Sequence, residues 1–310
     1  MAPSPDELLM RSLATVRGAA WMAGAAAEDA IGAFDALNLT GLESAPEDPF
    51  DALDPEYIRA TLPALRSLSE VYFRAEVAGM ERIPAEGPVL LVGNHSGGTM
   101  IADTFVFAQA FYDHFGPHRL FHQLAHDLVF KVPGLRTLVQ RYGTVPASPD
   151  NMRRALDRDA ALLVYPGGDE ESFRPSWETG NVHFAGRTGF VKLALEHRVP
   201  VVPIVALGGQ ETALFLGRGR RIAKTLQLNR LARLKVVPPV VGPPFGVTVL
   251  DFPGRIPLPA KIRVRVMPPI DLRDELGSRP DVDEAYKLVT SRMQRTLTRL
   301  ANERSVPVVG

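Results

Sequence analysis

The 310-residue chain contains no cysteine. That excludes disulfides, thiolate metal sites and a covalent acyl-cysteine intermediate, and it leaves the protein independent of an oxidising compartment. Net charge is also missing, since 35 lysines and arginines balance 35 aspartates and glutamates. No global field draws the molecule to nucleic acid or anionic lipid, so any such binding falls to local patches. No apolar run reaches the ~18 residues of a spanning helix. The acidic start lacks the charged n-region of a signal peptide, and none is expected. Lysine is scarce beside arginine, a bias we take as genomic. What is present, 45% hydrophobic and 23% charged residues, suffices for one large core with or without a helical extension.

Within that ordinary composition, two strand exits stand out. Pro88 to Val92 reads as a short buried strand that delivers His95 onto a loop, where catalytic side chains concentrate. Gly97 and Gly98 then permit a tight turn and leave N–H groups to face a ligand. Thr99 is the predicted cap of a helix from about Ile101 to His114, with Asp103 one turn in and within reach of the imidazole. An isolated pattern of this kind is more often a surface histidine after a strand. The second exit follows Leu162 to Tyr165, where Pro166 ends strand pairing and Gly167-Gly168 opens the acidic run Asp169-Glu170-Glu171. Gly186 to His197 has helical spacing and leads into Val199 to Leu207, whose β-branched residues predict another buried strand.

Taken in order, Asn94-His95, Gly143-Thr144-Val145-Pro146, Tyr165-Pro166-Gly167-Gly168 and Val199-Pro200-Val201-Val202-Pro203 resemble the four blocks of the glycerolipid and lysophospholipid acyltransferase superfamily. The Pro-Gly-Gly block and the run Gly189 to Leu195 look more like the branch containing diacylglycerol acyltransferase 2 and the phytyl ester synthases. The resemblance covers roughly residues 75–275 and implies an α/β fold with a mixed central sheet flanked by helices. Residues 1–74 are then an N-terminal helical region with a linker, and 276–310 a C-terminal helix and tail. Two blocks depart from the family pattern. Met100 stands where the family has the aspartate of its first block. Aligned on Pro166, Gly167 replaces the family's glutamate and Glu170 its arginine, leaving Arg174 as the nearest cation. A phosphate-bearing acceptor loses ground to a neutral alcohol or a larger lysolipid.

The chemistry implied is transfer of a fatty acyl group from an acyl-CoA or acyl-carrier-protein thioester to a hydroxyl of a glycerolipid, lysophospholipid or other lipid alcohol, as in phospholipid biosynthesis. No cofactor and no nucleic acid are expected. His95 suits the general base because its ordinary pKa lies near neutrality, and Asp103 is the candidate that fixes its tautomer. Backbone N–H groups at Gly97, Gly98 or Gly168 are candidates for holding the oxyanion. Ser96 adjoins His95, which misaligns the two as nucleophile and base, and the Gly-x-Ser-x-Gly spacing of a nucleophile elbow is absent; it is read as structural or acceptor-orienting. Gly143, Thr144, Gly167 and Gly168 are expected to shape the substrate pocket, and Arg174 or Arg187 to meet anionic groups. Two rivals stay open: a lipid ester or thioester hydrolase using the same histidine, and a non-catalytic lipid-binding module.

Elsewhere, residues 5–35 and Asp54 to about Phe73 predict helices, the second kinked or restarted at Pro63, separated by a linker from Thr40 to Pro49. They either pack on the domain or rest on a membrane. Val236 to Pro259 is strongly apolar and follows Arg218, Arg220, Arg221, Lys224, Arg230, Arg233 and Lys235. It is either a membrane-contacting loop or a loop buried against the sheet. The expectation is a cytoplasmic enzyme peripheral on the membrane. His114, His118, His122 and His126 mimic a helical metal site, but Gly116-Pro117 breaks the helix and Arg119 to Ala125 reads as a strand. Asn151 to Asp159, capped by Ser148 or Asp150, and Asp281 to Glu303, packing Leu288, Met293, Leu297 and Leu300, complete the predicted helices.

Overall fold

The computed structural model describes residues 46–131, 135–225, 227–228, 235–249, 251 and 255–304. The predicted helix over 5–35 and the cations Arg230 and Arg233 lie outside the described residues. A mixed seven-stranded sheet organises the rest, in the spatial order β1 (Glu76–Ala78), β10 (Arg263–Val266), β6 (Val201–Leu207), β2 (Val89–Gly93), β5 (Ala161–Val164), β3 (Phe121–Ala125) and β4 (Thr144–Pro146). All neighbours run parallel except β10 against β6. The expected α/β architecture is therefore observed.

Parallel strands covered on both faces read as continuous apolar runs, and β2, β5 and β6 are buried at every position. Strand periodicity divides their side chains between two layers. Leu91, Leu163 and Ile204 face a cluster holding Val106, Phe107 and Phe111 of α2 (Ala102–Phe115) and Ile58 and Leu65 of α1 (Pro55–Ser67). Leu90, Leu162 and Val205 face the opposite layer, with Phe190 and Val191 of α6 (Gly189–His197) and Val289, Met293 and Leu297 of α9 (Val282–Asn302).

Most predicted elements fall within a few residues of their places, with two local differences. The helix capped by Asp54 continues through Pro63 and widens into a π-helical turn over Leu68–Tyr72, without restarting. Thr99 does not cap α2: the N-cap is Ile101 with no side-chain bond, because the Thr99 N–H and hydroxyl both go to Asp251. The four histidines spaced by four are dispersed, His114 in the last turn of α2, His118 and His126 in loops, and His122 buried in β3 with Nδ1 on the Gly143 carbonyl at 2.9 Å. The segment after Val236 is partly buried and partly exposed. Val236, Val237 and Val240 are buried, while β8 (Val240–Gly242) and β9 (Gly246–Thr248) pair with β7 (Leu214–Phe215) in a small antiparallel sheet that leaves Val247 and Val249 exposed.

Candidate active site

Ligands of open α/β sheets gather outside the carboxyl ends of the strands, and here the exits of β2, β5 and β6 converge. Asn94 fixes the first exit: its side-chain amide donates to the Ala206 carbonyl and accepts from the Ala206 N–H, both at 2.8 Å, as a further strand residue would. His95 follows. Its ring stacks on Tyr165 with centroids 4.3 Å apart, and a Cβ on Gly93 would overlap that tyrosine. Strand β2 thus ends in glycine so that the aromatic support of the imidazole can pack against it.

Asp103 enters from the first turn of α2. One carboxylate oxygen accepts from the Ser96 N–H (3.1 Å) and hydroxyl (2.9 Å). The other accepts from the Thr104 N–H at 2.8 Å and stands 4.0 Å from His95 Nδ1, which has no hydrogen-bond partner among the described residues. Met100, in the aspartate's place of the family block, instead lines a small apolar pocket with Ala102, Phe105, Leu68, Tyr72 and Phe73.

A residue that sequence reasoning passed over holds the loop from below. Glu171, in the short helix α5 (Gly168–Ser172), is fully buried, and its carboxylate accepts from the His95 N–H (2.9 Å) and the His183 N–H (2.8 Å). Arg174 lies 3.5 Å away and donates to the Asn181 carbonyl at 3.0 Å. Gln210, after β6, accepts from the Gly97 N–H at 3.1 Å and donates to the Arg174 carbonyl. On the other side Asp251 receives the Thr99 N–H at 2.6 Å, while Arg255 bonds Asp251 and the Gly97 carbonyl. Gly97 and Gly98 take positive φ of 93° and 68°, and a Cβ on Gly98 would overlap the Asp251 carboxylate and the Phe215 ring. No spacing rule joins Glu171, Gln210, Asp251 and Arg255 to His95, so only the fold reveals them.

Several expected roles meet a different placement. The N–H groups of Gly97, Gly98 and Gly168 donate to Gln210, Ser172 and Tyr165 and are not available for an oxyanion. Met100 and Ile101, at the uncapped start of α2, have backbone N–H groups with no protein acceptor among the described residues. Gly143 and Thr144 border the edge strand β4, three strands from β2, with Thr144 level with Gln123 in mid-sheet and away from the strand exits. Gly167 backs onto Glu171, where a side chain would collide, and Arg174 is buried and spent inward. Arg187 holds the Pro166 and Gly167 carbonyls at 2.9 Å and pairs with Asp169 at 3.3 Å.

Burial dominates the titration of the cluster. Desolvation, with the Arg174 charge second, pushes the His95 pKa down to about 3; desolvation pushes Asp103 up to about 6 and Glu171 up to about 7. His95 contributes stability that is present above its unfolded pKa and lost as pH falls toward 3. The carboxylates run the other way: theirs is present in acid and lost as pH rises through 6 and 7. The imidazole is accordingly neutral, the form a base requires, across the physiological range. In an NMR titration from pH 8 to pH 5, the His95 ring signals, assigned by their loss in His95→Gln, are expected not to shift. A midpoint near the ordinary histidine value contradicts the burial argument.

Known proteins resemble the chain over much of its length. The family model described as Acyltransferase matches residues 74–207. An uncharacterized protein of Mycobacterium tuberculosis is 30% identical over 281 residues, covering 87% of this chain and 73% of its own length. A Bos taurus protein described as a DGAT1/2-independent enzyme synthesizing storage lipids is 31% identical over 156 residues, 50% of this chain and 45% of that protein. The crystal structure of the 1-acyl-sn-glycerophosphate acyltransferase PlsC from Thermotoga maritima shares the fold at a TM-score of 0.50 and 17% identity, over 80% of this chain and 83% of that one. The chain belongs to the glycerolipid acyltransferase superfamily and is an acyltransferase.

Proposed function

We propose that the protein is an O-acyltransferase that moves a fatty acyl group from a coenzyme A or carrier-protein thioester to the hydroxyl of a neutral lipid alcohol, with His95 as general base. The buried, neutral imidazole takes the hydroxyl proton as the oxygen attacks the thioester carbonyl, and the thiolate leaves without a covalent enzyme intermediate. Asp103, 4.0 Å from the opposite ring nitrogen, is the carboxylate assigned to orient the ring once substrate is bound. The N–H groups of Met100 and Ile101 serve the oxyanion, and the apolar pocket beside them offers walls to the acyl chain.

The observation that carries the acceptor class is the state of the cations. Arg174, Arg187, Arg218, Arg220 and Arg255, all on or beside the site loops, are each paired with a carboxylate: Glu171, Asp169, Glu178, Glu170 and Asp251 in turn. A phosphate there would have to displace an existing anion, whereas a neutral hydroxyl meets no such competition. The test is acyl transfer from a long-chain acyl-CoA, and separately from an acyl-carrier protein, to monoacylglycerol, diacylglycerol, a long-chain alcohol and lysophosphatidate, with products identified by mass spectrometry. Neutral acceptors are expected to exceed lysophosphatidate in kcat/KM by about tenfold or more, the scale of one lost charge-assisted contact. Preference for lysophosphatidate would refute the neutral-acceptor reading.

A further inference from the structure

The small sheet β7–β8–β9 has two unlike faces. Inward, Phe215 and Val240 are buried, and the Phe215 ring lies where a Cβ on Gly98 would fall, so this face roofs the loop that follows His95. Outward, the register puts Leu214, Val241 and Val247 in one row across the three strands, and Leu216 and Val249 follow directly beyond the ends of β7 and β9. Val247 is 73%, Val249 54%, Leu214 46% and Leu216 45% exposed. Among the described residues, four of the eight exposed large hydrophobic residues thus lie on this small sheet or directly at its strand ends. Trp177, 68% exposed, lies along the free edge of β7, because its neighbour Ser176 bonds the outward-pointing Ala213 carbonyl and Phe215 N–H.

Charge selects the occupant. The chain passes from β7 into α7 (Arg220–Thr225), whose exposed Arg221 and Lys224, with Lys235 at the start of the return segment, form no ion pair among the described residues. The acids nearby, Asp169, Glu170 and Glu178, are taken by Arg187, Arg220 and Arg218. A second copy of this face would set like charges against each other, whereas an anionic leaflet complements them and accepts apolar side chains and an indole at its interface.

We infer that the outer face of this sheet, with Trp177 at its edge and the basic residues of α7 beside it, docks on an anionic membrane surface and sets the His95 loop directly beneath the lipid from which the acceptor comes. The inference rests on the reading of a lipid acceptor. The full chain is tested with vesicles of phosphatidylcholine mixed with phosphatidylglycerol, and of phosphatidylcholine alone. The wild type is expected to cosediment with the mixed vesicles more than with the neutral ones, and less as salt rises. The double variant Leu214→Glu with Val247→Glu is expected to lose about tenfold or more of that binding while its thermal unfolding stays at the wild-type midpoint. In a Trp21→Phe protein Trp177 is the sole tryptophan, and brominated phosphatidylglycerol is expected to quench it. Vesicle binding undiminished in the double variant, an unquenched Trp177, or a dimer abolished by the double variant without vesicle binding would each overturn the inference. Acyl transfer to monoacylglycerol dispersed in neutral detergent micelles, expected unchanged in the double variant, keeps the two readings apart: its absence from the wild type, with the other neutral lipid acceptors also inactive, would sink the catalytic reading and leave the docking result to stand or fall by itself.

Discussion

His95→Ala is expected to lower kcat for acyl transfer by about 10²–10⁴-fold, the usual contribution of a general base, while the protein remains folded. The structure gives the second half of that expectation its force. The imidazole is held by stacking on Tyr165 and by the backbone bond to Glu171, and its Nδ1 has no hydrogen-bond partner among the described residues. Its removal therefore strands no polar group. Asp103 keeps Ser96 and Thr104, and the Glu171 bond comes from a main-chain N–H that alanine also has. The loss is packing alone, on the order of 1–2 kcal/mol. Steady-state thiol release from the acyl thioester, with unfolding followed in parallel, separates lost chemistry from lost structure. Activity surviving within a fewfold of wild type would remove His95 from the base role.

Glu171→Ala is expected to act through the fold. The substitution leaves the His95 and His183 N–H groups without their acceptor and Arg174 without its carboxylate, all in a buried site. Breaking one side of a buried pair costs about 3–5 kcal/mol, enough to shift urea unfolding to visibly lower concentrations. Glu171→Gln retains the volume and one acceptor and is expected to fold, yet to lose kcat more than it raises KM. The neutral amide no longer balances Arg174, and the loop carrying His95 is held by fewer bonds. Wild-type stability in Glu171→Ala would show that the carboxylate carries no structural burden. Wild-type kcat in Glu171→Gln would show that it does not position His95.

Local pattern made the main strands and helices legible. The apolar runs at Val89, Ala161 and Val201 are strands because a parallel sheet buries both faces, and Asp54, Ser148 and Asp281 start helices because each side chain accepts an N–H of the first turn. His95 and Asp103 were visible as a strand exit and the helix after it, and the fold brings them to 4.0 Å. The rest of the site was not legible, for a physical reason. Glu171, Gln210 and Asp251 reach the loop from 76, 113 and 152 positions away, contacts that no periodicity encodes. The same gap misdirected the reading of Gly97 and Gly98. Turn glycines do free backbone N–H groups, but here Gln210 and Ser172 arrive from elsewhere in the chain to take them. Arg174 was selected as the nearest cation in sequence, and its burial beside Glu171 turns it from ligand-binding to support.

Alcohol-dependent ester formation tests acyl transfer at this site most directly. The purified protein is given an acyl thioester with and without a neutral lipid alcohol, and thiol, free fatty acid and acyl ester are counted together. The expected result is one ester formed per thiol released, little release without the alcohol, and loss of both in His95→Ala. Free acid released at the same rate whether or not the alcohol is present would contradict acyl transfer and make the protein a hydrolase.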